Sequence, residues 1–135
     1  MSPTHLEGVW HNQYGSEMRI AVSPEGRLTG RYRTGVGLAR PTGEFELCGF
    51  AHGDLIVFSV DFGKHGLTAW VGHHAPGGAA EAIHALWHMA VKVPHPERPE
   101  DQWKSIWSGS DVFQRGQAPA EAPARRAPPQ PLWLI

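Results

Sequence analysis

The chain has 135 residues, with 12 Lys and Arg against 13 Asp and Glu and a formal net charge of −1. This balance lacks the clustered basic residues that binding to nucleic acid or to an anionic membrane surface requires. The apolar runs are far shorter than the roughly 20 residues of a membrane-spanning helix. The single cysteine, Cys48, excludes an intrachain disulfide and a multi-cysteine metal cluster.

Three segments of the chain differ in composition. Residues 1–7 form a short polar lead-in, in which no signal peptide is visible. Residues 8–113 contain nearly all of the periodic hydrophobic pattern and are predicted to form one domain. Residues 114–135 alternate proline with alanine and end in the apolar residues 132–135. Because proline removes backbone donors and favours polyproline geometry, this tail is predicted to add no strand or helix to the core.

Within the predicted domain, apolar residues recur with a period of two, which indicates strands with one buried face. The first strand is predicted to alternate through Trp10, Asn12 and Tyr14. Residues 23–26, Ser-Pro-Glu-Gly, have the composition of a β-turn and join the second and third strands into a hairpin. Five more strands are predicted near Phe45–Gly49, Leu55–Phe62, Leu67–His74, Ala80–Val93 and Ile106–Phe113.

The segment Ala80–Val93 is ambiguous, because its apolar residues also fit a helical stripe and alanine favours helices. Since it lies among hairpin-linked strands, it is predicted to be the seventh strand. Eight antiparallel strands with short turns predict an all-β fold, an up-and-down β-barrel whose closure leaves no unpaired edge. Such a barrel is wide enough to hold one small ligand at its mouth.

The side chains that strand alternation places inside this barrel include polar groups among aromatic ones. The polar residues are Asn12, Ser16, Tyr32, Thr34, Thr68 and Asp111, and the aromatic ones are Phe58, Trp70, Trp87 and Trp103. Each buried polar group costs about 1–3 kcal/mol when it is unsatisfied, so a purely structural role for six of them is improbable. An aromatic pocket with a few converging polar groups is typical of a small-molecule site.

Six short segments occur in one order along residues 8–113. They are Gly8-Val9-Trp10-His11-Asn12-Gln13-Tyr14-Gly15-Ser16, Gly26-Arg27-Leu28-Thr29-Gly30-Arg31-Tyr32, Thr68-Ala69-Trp70, Trp87, Trp103-Lys104-Ser105 and Gly109-Ser110-Asp111-Val112-Phe113. No single segment is specific, but in order and spacing together they resemble the avidin–streptavidin family of biotin-binding proteins. The resemblance implies an avidin-like barrel that binds biotin, catalyses no reaction and needs no cofactor.

The resemblance also implies a role for individual residues. The ureido carbonyl of biotin would accept hydrogen bonds from Asn12, Ser16 and Tyr32, as in an oxyanion hole. The two ureido N–H groups would donate to Thr34 and Asp111, where an ionised carboxylate gives a charge-assisted bond. The remaining implied contacts are Thr68 with the thiophene sulfur, Phe58, Trp70, Trp87 and Met89 around the rings, Val36 and Leu38 in a lid loop, and Trp103 from a neighbouring subunit.

Three positions depart from the family pattern. Phe58 stands where a tryptophan is usual, Leu38 stands where the family often has a polar residue, and Gly66 replaces a hydroxyl that reaches the biotin carboxylate. We therefore expect somewhat weaker binding of the free vitamin. Recognition of the carboxylate is predicted to depend on backbone N–H groups near Leu38 and Ala39, or on Arg40, Lys64 or His65.

Two other functions remain open from the sequence. A lipocalin-like carrier of another apolar ligand is one, although it would not need polar side chains to converge on one point. A small barrel enzyme that uses Asp111 as a general acid or base is the other, although no nucleophile–base pair is visible. The nine histidines include the pairs His84 and His88 and His73 and His74. Because neither pair has a visible third partner, no metal site is predicted.

Outward residues of the last two strands suggest self-association, since an apolar patch on a barrel wall normally marks an interface. These residues are His84, Leu86, His88, Ser108, Ser110 and Val112. A homotetramer is favoured, and a dimer is the alternative because Ser108 and Ser110 are small. Residues 132–135 are predicted to dock on their own or a neighbouring subunit, in or near the ligand site. The resemblance implies a secreted or periplasmic protein.

Overall fold

The computed structural model describes residues 3–35, 43–118 and 130–131. Nine strands and one α-helix lie in these ranges. The strands are β1 (Gly8–Asn12), β2 (Glu17–Val22), β3 (Arg27–Arg33), β4 (Glu44–His52), β5 (Leu55–Asp61), β6 (Leu67–Ala75), β7 (Ala82–Ala90), β8 (Ile106–Arg115) and β9 (Gln130–Pro131). The helix α1 is Pro99–Lys104, and 3-10 turns cover Pro3–Leu6, Gly63–His65 and Gly78–Ala80.

Strands β1 to β8 form a closed antiparallel barrel. Each pairs with the next along the chain, and β1 also pairs with β8, with Trp10 opposite Arg115 and Asn12 opposite Phe113. The predicted eight-stranded up-and-down barrel is confirmed. The ambiguous segment is strand β7, which lies between β6 and β8. Strand β8 ends two residues beyond the predicted domain boundary, at Arg115.

Side-chain burial alternates along the strands, as a barrel filled with side chains requires. In β5, Ile56, Phe58 and Val60 are buried and their neighbours are exposed. The aliphatic part of the core includes Leu6, Met18, Ile20, Val22, Leu28, Leu47, Ile56, Val60 and Ile83. The burial of these residues stabilises the barrel by removing apolar surface from water.

The two ends of the barrel have different connections. Because neighbouring strands are antiparallel, the β1–β2, β3–β4, β5–β6 and β7–β8 connections lie at one end, which we call the upper end. The lead-in before β1 and the β2–β3, β4–β5 and β6–β7 turns lie at the opposite, lower end. The upper half therefore contains the residues near the ends of β1, β3, β5 and β7 and those near the starts of β2, β4, β6 and β8.

Two local elements differ from the sequence-based expectation. Tyr14 lies in the β1–β2 turn instead of continuing β1, because the Asn12 side chain accepts hydrogen bonds from Tyr14 N and Ser16 N and closes the turn. Helix α1 was not predicted, although Pro99 and the acidic Glu100 at its start suit a helix N-terminus. No helix in the described part of the chain is both long and apolar enough to cross a membrane.

The tail adds a short edge strand, so the prediction that it forms no strand is wrong for residues 130–131. Strand β9 pairs with the start of β8, with Gln130 opposite Ser108 and Pro131 opposite Trp107. Proline is tolerated there because an edge strand needs only some of its backbone donors. Ser108 is buried, although it has the same strand parity as the exposed Ser110 and Val112.

A network of charged side chains occupies the lower end. His74 Nδ1 and His5 Nε2 lie 2.8 and 2.9 Å from the same oxygen, Oδ1 of Asp54. His74 Nε2 lies 2.7 Å from Glu81 Oε2, and Arg115 Nε donates to Glu81 Oε1 at 3.0 Å. Hydrogen bonds from His74 and His5 lower the pKa of the Asp54 carboxyl, and those from Arg115 and His74 lower the pKa of Glu81. The network therefore attaches the lead-in to the barrel.

Candidate functional site

The Asn12 side chain, at the end of β1, presents an oriented amide to the barrel interior. Its Oδ1 accepts hydrogen bonds from Tyr14 N at 3.0 Å and Ser16 N at 2.9 Å. Because only the carbonyl oxygen can accept them, these bonds determine which side of the amide faces inward. Asn12 Nδ2 is buried and makes no hydrogen bond within residues 3–35 and 43–118. A buried donor of this kind is uncommon in native proteins and is suited to meet an acceptor on a ligand.

Ser16, the residue before β2, is fully buried. Its Oγ accepts a hydrogen bond from Gly35 N at 2.9 Å, so the hydroxyl proton remains available for donation. Gly35 reaches this position only without a side chain, since a Cβ would lie 2.4 Å from the backbone carbon of Gly15. The chain leaving β3 therefore packs directly on the β1–β2 turn.

Asp111 of β8 is a buried carboxylate oriented by an aromatic residue. Trp70 Nε1 of β6 donates to Asp111 Oδ2 at 2.9 Å, across the intervening strand β7. Asp111 is 1% exposed and Trp70 is 3% exposed. A hydrogen bond to a carboxylate in a site of low dielectric is stronger than one in water. The bond therefore holds the carboxyl group of Asp111 in a set direction inside the barrel.

Stacked aromatic rings form one wall of the chamber. Phe58 stacks on Trp70 with ring centroids 4.8 Å apart and an interplanar angle of 12°. Tyr32 contacts Trp70 at 5.0 Å, and Phe62 contacts the other side of Tyr32 edge-on at 5.8 Å. Such offset and edge contacts add to the burial energy of each ring. The wall therefore holds Tyr32 and Trp70 in place from two sides.

Two members of this aromatic group were not predicted. Phe62 contacts Tyr32, and Phe45 contacts Phe62 with centroids 4.9 Å apart. Both are partly buried against the core. A signal was present, because Phe62 has the same alternation as Phe58 in β5 and Phe45 has that of the buried Leu47. Both residues lie at the upper end of the inward face of their strand.

Trp87 of β7 packs closely against Gly109 of β8. A Cβ at Gly109 would lie 2.2 Å from Cζ2 of the Trp87 indole, so only glycine permits this contact. Nearby, Thr68 is buried, and its Oγ1 has no hydrogen-bond partner among the described residues. Met89 is partly buried and packs against the core. Trp87, Thr68 and Met89 therefore line the barrel interior on the side of β6 and β7.

The backbone geometry explains why position 66 holds a glycine instead of the expected hydroxyl-bearing residue. Gly66 has a φ of +109°, and a Cβ there would lie 2.6 Å from Ala90 O. A residue with a side chain would be strained at this φ and would clash with the end of β7. Lys64 and His65 lie on the 3-10 turn just before it, at the upper end, with Lys64 exposed. The β5–β6 turn therefore presents a cation at the rim instead of a hydroxyl.

Most of the predicted site residues are buried in the barrel interior. Those that are buried there are Asn12, Ser16, Tyr32, Thr34, Phe58, Thr68, Trp70, Trp87 and Asp111. Trp103 does not join them: it lies on α1 and is 54% exposed. Val36 and Leu38, with Ala39 and Arg40, lie outside the described residues. The structure also departs from the expectation that each histidine pair lacks a third partner, because His74 meets Asp54 and His5.

The arrangement can bind a small polar ligand. Donors at Asn12 and Ser16 and the acceptor at Asp111 are held by neighbouring groups. Donors and acceptors that are fixed in this way can hold a ligand that carries both acceptor and donor groups.

Comparisons with known proteins agree with this fold. The sequence matches the profile of the Avidin family over residues 1–116. The fold is similar to the crystal structure of a rhizavidin–biotin complex, with a TM-score of 0.67 and 27% identity, over 79% of this chain and 96% of that one. It is also similar to apo shwanavidin, with a TM-score of 0.68 and 26% identity, over 82% of this chain and 100% of that one.

Proposed function

Because this chain belongs to the avidin family, whose members are non-catalytic biotin binders, we propose that it binds biotin in the upper end of its barrel. The main observation is the buried Asn12 amide. Its oxygen is engaged by two backbone N–H groups, and its nitrogen makes no hydrogen bond within the described ranges. A ligand carbonyl would satisfy that nitrogen and remove the cost of burying it.

The ureido group of biotin fits the polar groups of the chamber. Its carbonyl oxygen would accept from Asn12 Nδ2, the Ser16 hydroxyl and the Tyr32 hydroxyl. Its N–H groups would donate to Asp111 and Thr34. Since the Asp111 carboxylate is held by Trp70, it would polarise the ureido group toward the donors at Asn12, and hydrogen bonds linked in this way strengthen one another. The site would thus bind by charge complementarity at both ends of one planar group.

The bicyclic rings of biotin would lie against the aromatic wall. Phe58, Trp70 and Trp87 would cover them, with Met89 at the side, and each aromatic residue supplies a large buried surface. The Thr68 hydroxyl, buried without a partner among the described residues, would donate to the thiophene sulfur. Phe58 is smaller than an indole and has no N–H group, so we expect this wall to contribute less than a tryptophan would.

The part of the proposed site that would hold the biotin carboxylate differs most from the family pattern. Gly66 has no side chain to offer, and its backbone geometry excludes one. We propose that Lys64 or His65 on the neighbouring turn supplies the positive charge, and that the loop containing Val36, Leu38 and Arg40 covers the ligand. An exposed cation at a rim gives a weak, screened interaction. Free biotin should therefore bind less tightly than a pocket with several hydroxyl donors would allow.

The experiment is a calorimetric titration of the full chain with biotin. We expect stoichiometric binding by the wild type and a loss of about 100-fold or more in Asn12→Asp, equal to about 3 kcal/mol. This substitution keeps both turn hydrogen bonds, because a carboxylate accepts as the amide oxygen does, but it replaces the inward donor by an acceptor. Circular dichroism verifies that the variant keeps the barrel.

The matched control is Gln117→Glu, the same change of amide to carboxylate on an exposed residue. It should bind biotin as the wild type does. Absence of biotin binding by the wild type would refute the proposed function. Wild-type affinity in Asn12→Asp would refute the role of the amide.

We further propose that the chain associates with copies of itself through the outer face of β5 to β8. Val57, Val71 and Leu86 lie side by side on this face and are 39%, 62% and 63% exposed. A contiguous exposed apolar patch of this kind is typical of an interface. The exposed Trp103 could then reach the pocket of a neighbouring subunit, in a tetramer or a dimer. Since family members are typically secreted, we propose a secreted or periplasmic site of action.

A further inference from the structure

Three metal-ligand atoms converge at the lower end of the barrel. They are His5 Nε2, His74 Nδ1 and a carboxylate oxygen of Asp54, and all lie within 4.8 Å of one another. They come from three separate elements, namely the lead-in, the end of β6 and the β4–β5 turn. Two imidazoles and one carboxylate form a ligand set that suits divalent transition metals such as zinc.

The second ring nitrogen of His74 is engaged as it is in metal sites. His74 Nε2 lies 2.7 Å from Glu81 Oε2, and Arg115 donates to the other Glu81 oxygen at 3.0 Å. In metalloproteins a ligating histidine almost always donates its remote N–H to a carboxylate or carbonyl, which sets the ring orientation. Glu81 and Arg115 therefore aim Nδ1 of His74 at the point where His5 and Asp54 meet.

The surroundings of the cluster combine a buried ligand with an open approach. His74 is 2% exposed, and the Trp10 ring packs edge-on against it with centroids 5.9 Å apart. The side chains of His5 and Asp54 are 36% and 43% exposed. A low-dielectric wall strengthens the attraction between a cation and the carboxylate. The exposed side gives an ion and its remaining water ligands a route in.

We propose that His5, Asp54 and His74 bind one zinc ion, with water completing a tetrahedral site. Zinc bonds of 2.0–2.2 Å place ligand atoms about 3.3 Å apart, whereas the two nitrogens now lie 2.8 and 2.9 Å from Asp54 Oδ1. Each nitrogen must therefore move about half an ångström away from Asp54 Oδ1 to admit the ion, and the exposed side chains of His5 and Asp54 have room to move. The proton between each imidazole and the carboxylate leaves as the metal takes its place.

Such an ion would link the lead-in to the barrel wall. Residues 3–6 would then be joined through His5 to the β4–β5 turn and to β6, at the end of the barrel opposite the chamber around Asn12 and Asp111. The site is separate from the proposed biotin site and does not depend on it.

The test is a zinc titration of the untagged, EDTA-treated full chain, followed by calorimetry and by melting temperature. We expect saturable binding of one ion per chain and a rise in melting temperature that EDTA reverses. His5→Ala and Asp54→Asn should each weaken binding by at least about 100-fold, since two ligands hold zinc far less well than three. Glu81→Gln should weaken it by roughly 10- to 100-fold, as is typical when the partner of a ligating histidine is lost.

The matched control is His95→Ala, which removes an exposed histidine that also lies beside a carboxylate, 3.6 Å from Glu97. It should bind zinc as the wild type does. The exposed position of His5 allows its variant to keep the barrel, which circular dichroism verifies. The proposal is overturned if the wild type shows no saturable binding at zinc concentrations up to about 0.1 mM. It is also overturned if His5→Ala and Asp54→Asn bind zinc as the wild type does.

Discussion

At the scale of single residues, the site depends on side chains whose direction is set by a second group. Asp111 receives the Trp70 indole N–H at 2.9 Å, and Asn12 is held by two backbone donors. Each residue uses one part of its polar group for the protein and presents another part to the chamber. Preorganisation of this kind reduces the entropy lost when a ligand binds.

Removal of the buried carboxylate should lower biotin affinity strongly. We expect Asp111→Ala to lose about 2–4 kcal/mol of binding free energy, or roughly 30- to 1,000-fold in Kd, because a charge-assisted bond is lost and Trp70 Nε1 is left unpaired. Calorimetry with biotin measures the loss. Glu46→Ala, which removes an exposed carboxylate from the outer wall of β4, is the control and should bind normally. Wild-type affinity in Asp111→Ala would refute the role proposed for this residue.

At the scale of elements, the edge of β8 is closed by three different partners. Strand β1 pairs with residues 113–115, and strand β9 pairs with residues 107–108. Between them the Gln13 side chain accepts from Val112 N at 2.9 Å and donates to Ser110 O at 3.3 Å. An open edge invites pairing with another chain, and this combination protects it. The tail therefore returns to the start of β8, at the upper end near the chamber.

Deletion of residues 119–135 should change how biotin enters the site. Because β9 brings the tail to the upper end, we propose that the apolar residues 132–135, which lie outside the described residues, dock in or near a biotin pocket. A chain that ends at Ala118 should then bind biotin with a higher association rate, measured by stopped-flow tryptophan fluorescence. Replacement of residues 132–135 by serines in the full-length chain separates docking from the loss of β9. An unchanged association rate in both variants would contradict docking.

At the scale of the whole molecule, the barrel keeps the proposed ligand site apart from the charged network around His74, and its outer wall has an apolar face. The proposed ligand site lies in the upper half, and the network around His74 lies at the lower end. The outer residues Val57, Val71 and Leu86 are in register across three strands and remain exposed in the single chain. We expect this face to be covered by a second copy.

A charge on the apolar face should break the assembly. We expect Leu86→Glu to reduce the oligomer to a smaller species, because an unpaired carboxylate would be desolvated at the interface. Light scattering after size-exclusion chromatography gives the mass of each species. Thr29→Glu adds the same charge to exposed β3, on the opposite wall of the barrel, and should leave the mass unchanged. If the wild type is a monomer, or if Leu86→Glu keeps the wild-type mass, the face is not the interface.

The strands and their inner faces were predictable from the sequence. Alternation along β5 and β6 placed Phe58, Thr68 and Trp70 inside, since successive side chains of a strand point to opposite faces whatever the rest of the chain does. The order of short motifs then indicated the family. Helix α1 and the two phenylalanines Phe45 and Phe62 were missed, although each had a local signal.

Contacts between distant segments were decided only by the tertiary structure. Trp70 and Asp111 are 41 residues apart, and their hydrogen bond requires β6 and β8 to lie on either side of β7 in the correct register. His5 and Asp54 are 49 residues apart and meet at His74 through the closure of the barrel's lower end. Local alternation determines which way a side chain points, because the pleat is set residue by residue. The partner that it meets depends on register and barrel closure, which involve the whole chain.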